Sequence, residues 1–217
     1  MDPLLLDRDA ELGELGRRIA AARSGSGRVI VVEGPAGIGK STLLAATARA
    51  ARAAGTTVLW ARCSPLEQDA AWGLARQLFE PLRIRPEWDE LTMGAAGLAD
   101  RALAPEGGAP APAGDAMHAA ARGLVWLVSN LAERSPSVLV IDDVHWGDAP
   151  SLRWLALLAH SLEELRAGVL CAVRVGEPVA APELLAELLA SAPEPLVRPR
   201  ALGPVATETL VLSLIHI

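Results

Sequence analysis

Leu12, Leu15 and Ile19 recur at helical spacing through DAELGELGRRIAAAR, 9 to 23, and the SGSG that follows closes the predicted amphipathic helix in a turn. RVIVVE, 28 to 33, is a short β-branched run bounded by glycine, the pattern of a strand buried on both faces of a parallel sheet. After GPAGIGK, the alanine-rich STLLAATARAARAAG predicts a helix stopped at Gly55, and TTVLWARC predicts the next strand. Strand, helix, strand is a βαβ unit. Helical patterns return near 70 to 80 and 116 to 134, and between them APEGGAPAPAG, 104 to 114, is too rich in Pro, Gly and Ala for a regular element and reads as a flexible surface loop. SVLVID (137 to 142) and GVLCAVR (168 to 174) read as strands around a helix at 150 to 165; a helix at 182 to 190 and an extended PLVRPRAL follow. The alternation predicts a three-layer α/β sandwich: a mostly parallel sheet of about five strands with helices on both faces, joined by right-handed crossovers.

Composition narrows what such a fold does. At 217 residues and 51% hydrophobic, the chain can bury one large core. A net charge of -6 argues against direct binding of DNA or RNA by this segment, because phosphate neutralisation needs a basic face. The amino terminus carries no basic leader, and no stretch approaches 18 uncharged apolar residues, so a cytoplasmic location without membrane spans is expected. Cys63 and Cys171 lie in apolar runs with no Cys or His at ligand spacing, as buried thiols do.

Among 19 arginines there is one lysine, Lys40. It ends Gly34-Pro35-Ala36-Gly37-Ile38-Gly39-Lys40, followed by Ser41 and Thr42, which fits G-x-x-x-x-G-K-[ST] between a predicted strand and a helix start. A chance match in a chain this long has a probability of about 1% from average usage, and the flanks lower it further. In such a turn the glycines let successive N–H groups converge on phosphate oxygens at the positive end of the helix. Lys40 would reach the β- and γ-phosphates of ATP, and the Ser41 hydroxyl would hold Mg²⁺. A compact ammonium enters a tight phosphate cradle where a planar guanidinium needs a wider one.

A P-loop of this kind also needs a carboxylate on the metal side. VLVIDDVHWGD offers Asp142 and Asp143 at the carboxyl end of a strand, the edge of an open α/β sheet where ligands belong. Asp142 would hold Mg²⁺, and Asp143 could orient or deprotonate the attacking water.

GPAGIGKST followed by VLVIDDVHWGDAPSLRWL resembles the nucleotide-binding domain of the STAND class of P-loop ATPases. More narrowly, it resembles the AAA-type ATPase domain of the large ATP-binding LuxR-family transcriptional regulators. Arg8-Asp9-x-Glu11-Leu12 and ARCSPLEQDAAWGLARQLFEPL fit the same pattern, so the likeness covers roughly residues 4 to 205. Asp7 departs from it, since glycine usually precedes that arginine. The resemblance implies a P-loop NTPase fold, an ATPase domain over residues 1–205, and Gly34 to Thr42 on the phosphates. It also implies Asp142 on magnesium, Asp143 as the catalytic acid and Arg174 as a sensor arginine at the γ-phosphate. Aspartate at 143 shortens the reach to water, which suits slow hydrolysis. His145 is expected to bond locally, Trp146 to pack, and Asp148 to cap the following helix.

Family members continue into helical sensor regions and a DNA-binding helix-turn-helix, so residues 206–217 are expected to begin a further region or to be a non-native tail ending in LSLIHI. DNA would then be reached only through those further domains, and the ATPase domain leaves room for self-association. Two other readings stand beside the regulatory switch: a P-loop kinase acting on a small molecule, and an ATPase module attached to a signalling kinase or cyclase.

Overall fold

The computed structural model describes residues 5–104, 114–179, 181–192 and 195–208. Four strands, β1 (Val29–Gly34), β2 (Thr57–Arg62), β3 (Ser137–Asp142) and β4 (Ala167–Arg174), pair in parallel in the order β1-β4-β3-β2. The last strand in sequence is therefore inserted between the first and the third. That insertion brings the chemistry together: Gly34 pairs in register with Arg174, and Asp142 with Arg62, all at the carboxyl ends of their strands. The fifth strand contracts to one parallel bridge, Val32 with Val197, on the outer edge of β1. Its two bonds run from the Glu33 N–H to the Val197 carbonyl (2.9 Å) and from the Val197 N–H to the Val31 carbonyl (3.0 Å). Pro195 and Pro199 flank Val197, and prolines without N–H groups cannot extend a ladder.

Alternation along each strand feeds two cores. Ile30, Val32, Val138, Val140, Leu170 and Ala172 pack with Leu15 and Ile19 of α1 (Asp9–Arg23) and Leu43 and Leu44 of α2 (Lys40–Ala53). Val31, Leu139, Ile141, Val169 and Cys171 face the larger core on the other side. There they meet α3 (Gly73–Arg83), α6 (Asp115–Arg134), α7 (Ala149–Ser161) and α8 (Pro182–Ala190), with Phe79 and Trp154 in tilted ring contact at 5.8 Å. Each buried leucine or phenylalanine contributes about 1.5–3 kcal/mol, so the two cores hold the strand ends, and with them the site, in fixed register.

Between α3 and α6 the described residues form three short pieces that the hydrophobic pattern does not announce: α4 (Trp88–Leu91), a 3₁₀ segment (Gly94–Ala99) and α5 (Asp100–Leu103). The 3₁₀ segment lies so close to α6 that a Cβ on Gly123 would come within 2.3 Å of the Ala99 nitrogen. The helix expected over 150 to 165 stops at Ser161 and continues as a 3₁₀ turn, Leu162–Glu164. Of the expected loop, residues 105–113 lie outside the described residues, as do 209–217 with LSLIHI. Cys63 and Cys171 are buried free thiols. No described helix is long and apolar enough to cross a membrane.

Candidate nucleotide-binding site

β1 hands over to α2 through a turn in which Gly37 (φ 76°) and Gly39 (φ 97°) adopt left-handed backbone that only glycine takes without strain. Gly39 sits at the N-cap of α2 and no side chain caps it, so the first N–H groups of that helix open toward the loop. Lys40 is buried, and its ammonium folds back to donate to the carbonyls of Gly34 (2.9 Å) and Pro35 (2.8 Å). Burial lowers its pKa from the ordinary lysine value; the carboxylates of Asp143 and Asp142 pull it up, and Arg174 pushes it down. The lysine, both aspartates and the arginine thus share one electrostatic neighbourhood.

Asp142 ends β3 and is buried. Among the described residues its Oδ1 has no hydrogen-bond partner, while Oδ2 lies 3.9 Å from Nε of Arg62. A buried carboxylate oxygen without a donor is costly unless something positive reaches it, directly or through water. Ser41 is exposed in the first turn of α2. No described group of three or more His, Cys, Asp or Glu side chains could form a metal cage of its own. Mg²⁺ beside phosphates takes only one or two protein oxygens, its remaining ligands being phosphate and water, so Ser41 and Asp142 fit that part.

Asp143 follows in left-handed backbone (φ 53°), unusual for a non-glycine residue, and is buried. Arg174 holds it with a fork: Nε donates to Oδ1 at 2.9 Å and Nη2 to Oδ2 at 2.7 Å. Such two-pronged, charge-assisted bonds are among the strongest side-chain contacts. The expected catalytic acid and the expected sensor arginine are thus each other's partner. Glu177 lies 4.0 Å from the third guanidinium nitrogen.

The rest of the aspartate motif is structural, with one correction. His145 does not bond locally: it is fully buried and neither ring nitrogen has a hydrogen-bond partner among the described residues. Its ring lies 5.1 Å from that of Trp146, and burial, more than any charge, lowers its pKa and keeps it neutral. The short 3₁₀ turn Val144–Trp146 turns the imidazole inward before a partner can be reached. Trp146 packs against the larger core, as expected. Asp148 caps α7, accepting from the Ser151 N–H at 3.0 Å, and also accepts from the N–H groups of Trp72 (2.8 Å) and Leu74 (3.1 Å) at the start of α3. The first role is written in the local sequence. The second joins residues 76 positions apart and has no local signal. Arg62 and Arg8 also lie close to the site, and although Arg8 opens the Arg8-Asp9-x-Glu11-Leu12 pattern, an arginine at a strand end or before a helix carries no local signal of a site contact.

A parallel sheet with β4 between β1 and β3, a glycine-rich turn from β1 into α2 and aspartates at the end of β3 define an α/β fold of the P-loop NTPase type. The profile of the AAA ATPase domain family matches residues 5–172, and the chain belongs to that family. Nucleotide binding and hydrolysis are the activity that this membership brings.

Among solved structures, Cdc6p from Pyrobaculum aerophilum superposes with a TM-score of 0.59 at 14% identity, over 96% of this chain and 49% of that one. PCH-2 of C. elegans gives 0.52 at 12% identity, over 96% and 47%. These likenesses bear on the fold. An uncharacterised protein of Rhizobium meliloti (strain 1021) is 28% identical over 172 residues, 68% of this chain and 16% of that protein. The chain therefore spans about half of the solved chains and 16% of the curated relative.

Proposed function

We propose that this chain binds Mg-ATP and hydrolyses it slowly, as the regulatory switch module of a signal-responsive transcriptional regulator of the ATP-binding LuxR type. The observation that carries the reading is the fork of Arg174 on Asp143, one strand away from Gly34. In this reading, backbone N–H groups from Gly34 to Thr42 hold the phosphates, and Lys40 leaves the carbonyls of Gly34 and Pro35 for the β- and γ-phosphates. Ser41 and Asp142 hold Mg²⁺, which spreads the negative charge of the phosphates. The γ-phosphate competes with Asp143 for the Arg174 fork. Once released, Asp143 orients the attacking water and takes its proton as the γ-phosphoryl group passes from ATP to that water and ADP leaves.

Two features make turnover slow. Aspartate reaches less far than glutamate, and a partly buried two-pronged ion pair must open in each cycle. Slow turnover suits a switch, whose task is to hold one arrangement until the signal changes. In this reading residues 1–205 form the ATPase unit and 206–217 begin a further region. DNA is contacted through other domains of a longer protein, consistent with the net charge of -6 here.

Phosphate-release kinetics on two variants test the gate. Asp143→Asn removes the proton acceptor and should lower turnover about a hundredfold without weakening ATP binding, since the neutral amide competes less well for Arg174. Because Arg174 exchanges one anion for another when phosphate binds, Arg174→Ala should change affinity little and change turnover. Wild-type turnover in both variants contradicts the assignment, and transfer of the γ-phosphoryl to a small acceptor would favour the kinase reading instead.

A further inference from the structure

A second buried cation sits on the far side of the phosphate loop. Arg8 is 4% exposed, and its guanidinium meets two segments that are distant in sequence as well as Glu11 in the first turn of α1. Nη2 donates to the Ile38 carbonyl inside the loop at 2.9 Å, and Nη1 donates to the Arg200 carbonyl at 2.6 Å and to Glu11 Oε1 at 3.2 Å. A Cβ on Gly39 would lie 3.8 Å from Nη2, so the guanidinium lies against the turn that starts α2.

The segment on its other side is fastened along the same edge. Val197 bridges to Val32 of β1, and Arg198 Nε donates to Glu33 Oε2 at 2.7 Å. Pro199 lies 3.9 Å from where a Cβ on Gly34 would stand. The Arg200 N–H donates to Glu11 Oε1, and the Gly203 N–H to Asp7 Oδ2, each at 3.3 Å. Asp7 is left-handed (φ 54°), a conformation that glycine takes without strain, and from it the carboxylate reaches the Gly203 N–H. A buried guanidinium with carbonyls on two sides cannot lose one without leaving donors unpaired. Movement of the Ile38 carbonyl therefore bears directly on Arg200.

We propose that Arg8 is a positioning residue that clips the phosphate loop to residues 197–203, so that closure of the loop on Mg-ATP orders the stretch by which the chain runs off the sheet edge. The proposal rests on the Mg-ATP reading and adds to it the route by which nucleotide state leaves the site.

Hydrogen exchange on the full chain, with and without Mg²⁺ and a hydrolysis-resistant ATP analogue, reads both ends of the clip. In the unsubstituted chain the nucleotide should slow exchange across 37–42 and also at the amides of Val197, Arg200 and Gly203. Arg8→Ala should retain the first effect and lose the second. Arg8→Lys keeps a buried cation but replaces the fork with one ammonium; it should lose part of the second effect and covers the case in which the alanine variant does not fold. Undiminished slowing at 197–203 in these variants overturns the clip. So does an unsubstituted chain in which 37–42 responds and 197–203 does not. A chain in which neither segment responds overturns the Mg-ATP reading, and the clip with it.

Discussion

Lys40 and Arg174 are both engaged by the protein's own oxygens, those of Gly34 and Pro35 for the lysine and those of Asp143 for the arginine. On the proposed reading, phosphate must therefore win each cation from a partner already in place. Lys40→Ala removes a charge-assisted contact of about 1.5–3 kcal/mol, so ATP binding should weaken roughly ten- to hundredfold; unchanged affinity by calorimetry would remove the lysine from the site. The lowered pKa of Lys40 sets a sign. Phosphate takes the ammonium form, so affinity should be complete below the lowered value and decline as pH rises through it, before an ordinary lysine would titrate. The unfolded chain holds that proton more tightly than the folded one, so this group makes stability rise with pH between the two values. An ATP affinity that is flat through that alkaline window, once the ligand's own titration is subtracted, would contradict this placing of Lys40.

At the scale of elements, Asp148 joins the end of the β3 motif to the start of α3 by accepting three backbone N–H groups. Asp148→Ala would strand three buried donors and should cost about 3 kcal/mol, whereas Asp148→Asn keeps one oxygen and should cost less. Urea denaturation of the two variants measures the difference, and a loss below about 0.5 kcal/mol for the alanine variant would show that α3 is held by other means.

What the sequence made legible at this scale follows from punctuation. α1 runs over the predicted 9 to 23 because SGSG ends it, and β3 over the predicted 137 to 142 because Pro136 and the aspartates bound it. The pieces from Trp88 to Leu103 were hidden because four- and six-residue elements carry no period. The shortened fifth strand follows from prolines whose effect depends on which edge they meet.

At the scale of the molecule, the α/β class and the glycine loop were readable because strand, helix and phosphate turn are contiguous in the chain. The strand order was not. Nothing local places β4 between β1 and β3, and that insertion alone brings Arg174 to Asp143 across 31 positions. The Arg8 contacts reach as far or farther, 30 positions to Ile38 and 192 to Arg200. The glycine turn, the cation and the carboxylates thus share one edge of the sheet as one unit.

Calorimetric titration of this chain with ATP, in the presence and absence of Mg²⁺ and alongside Asp142→Ala, puts that unit to the test. The expected result is ATP binding that tightens with Mg²⁺, with the magnesium-dependent gain lost in Asp142→Ala and magnesium-free binding retained. Absence of ATP binding by the folded chain, or an equal magnesium gain in the Asp142→Ala variant, would contradict the site.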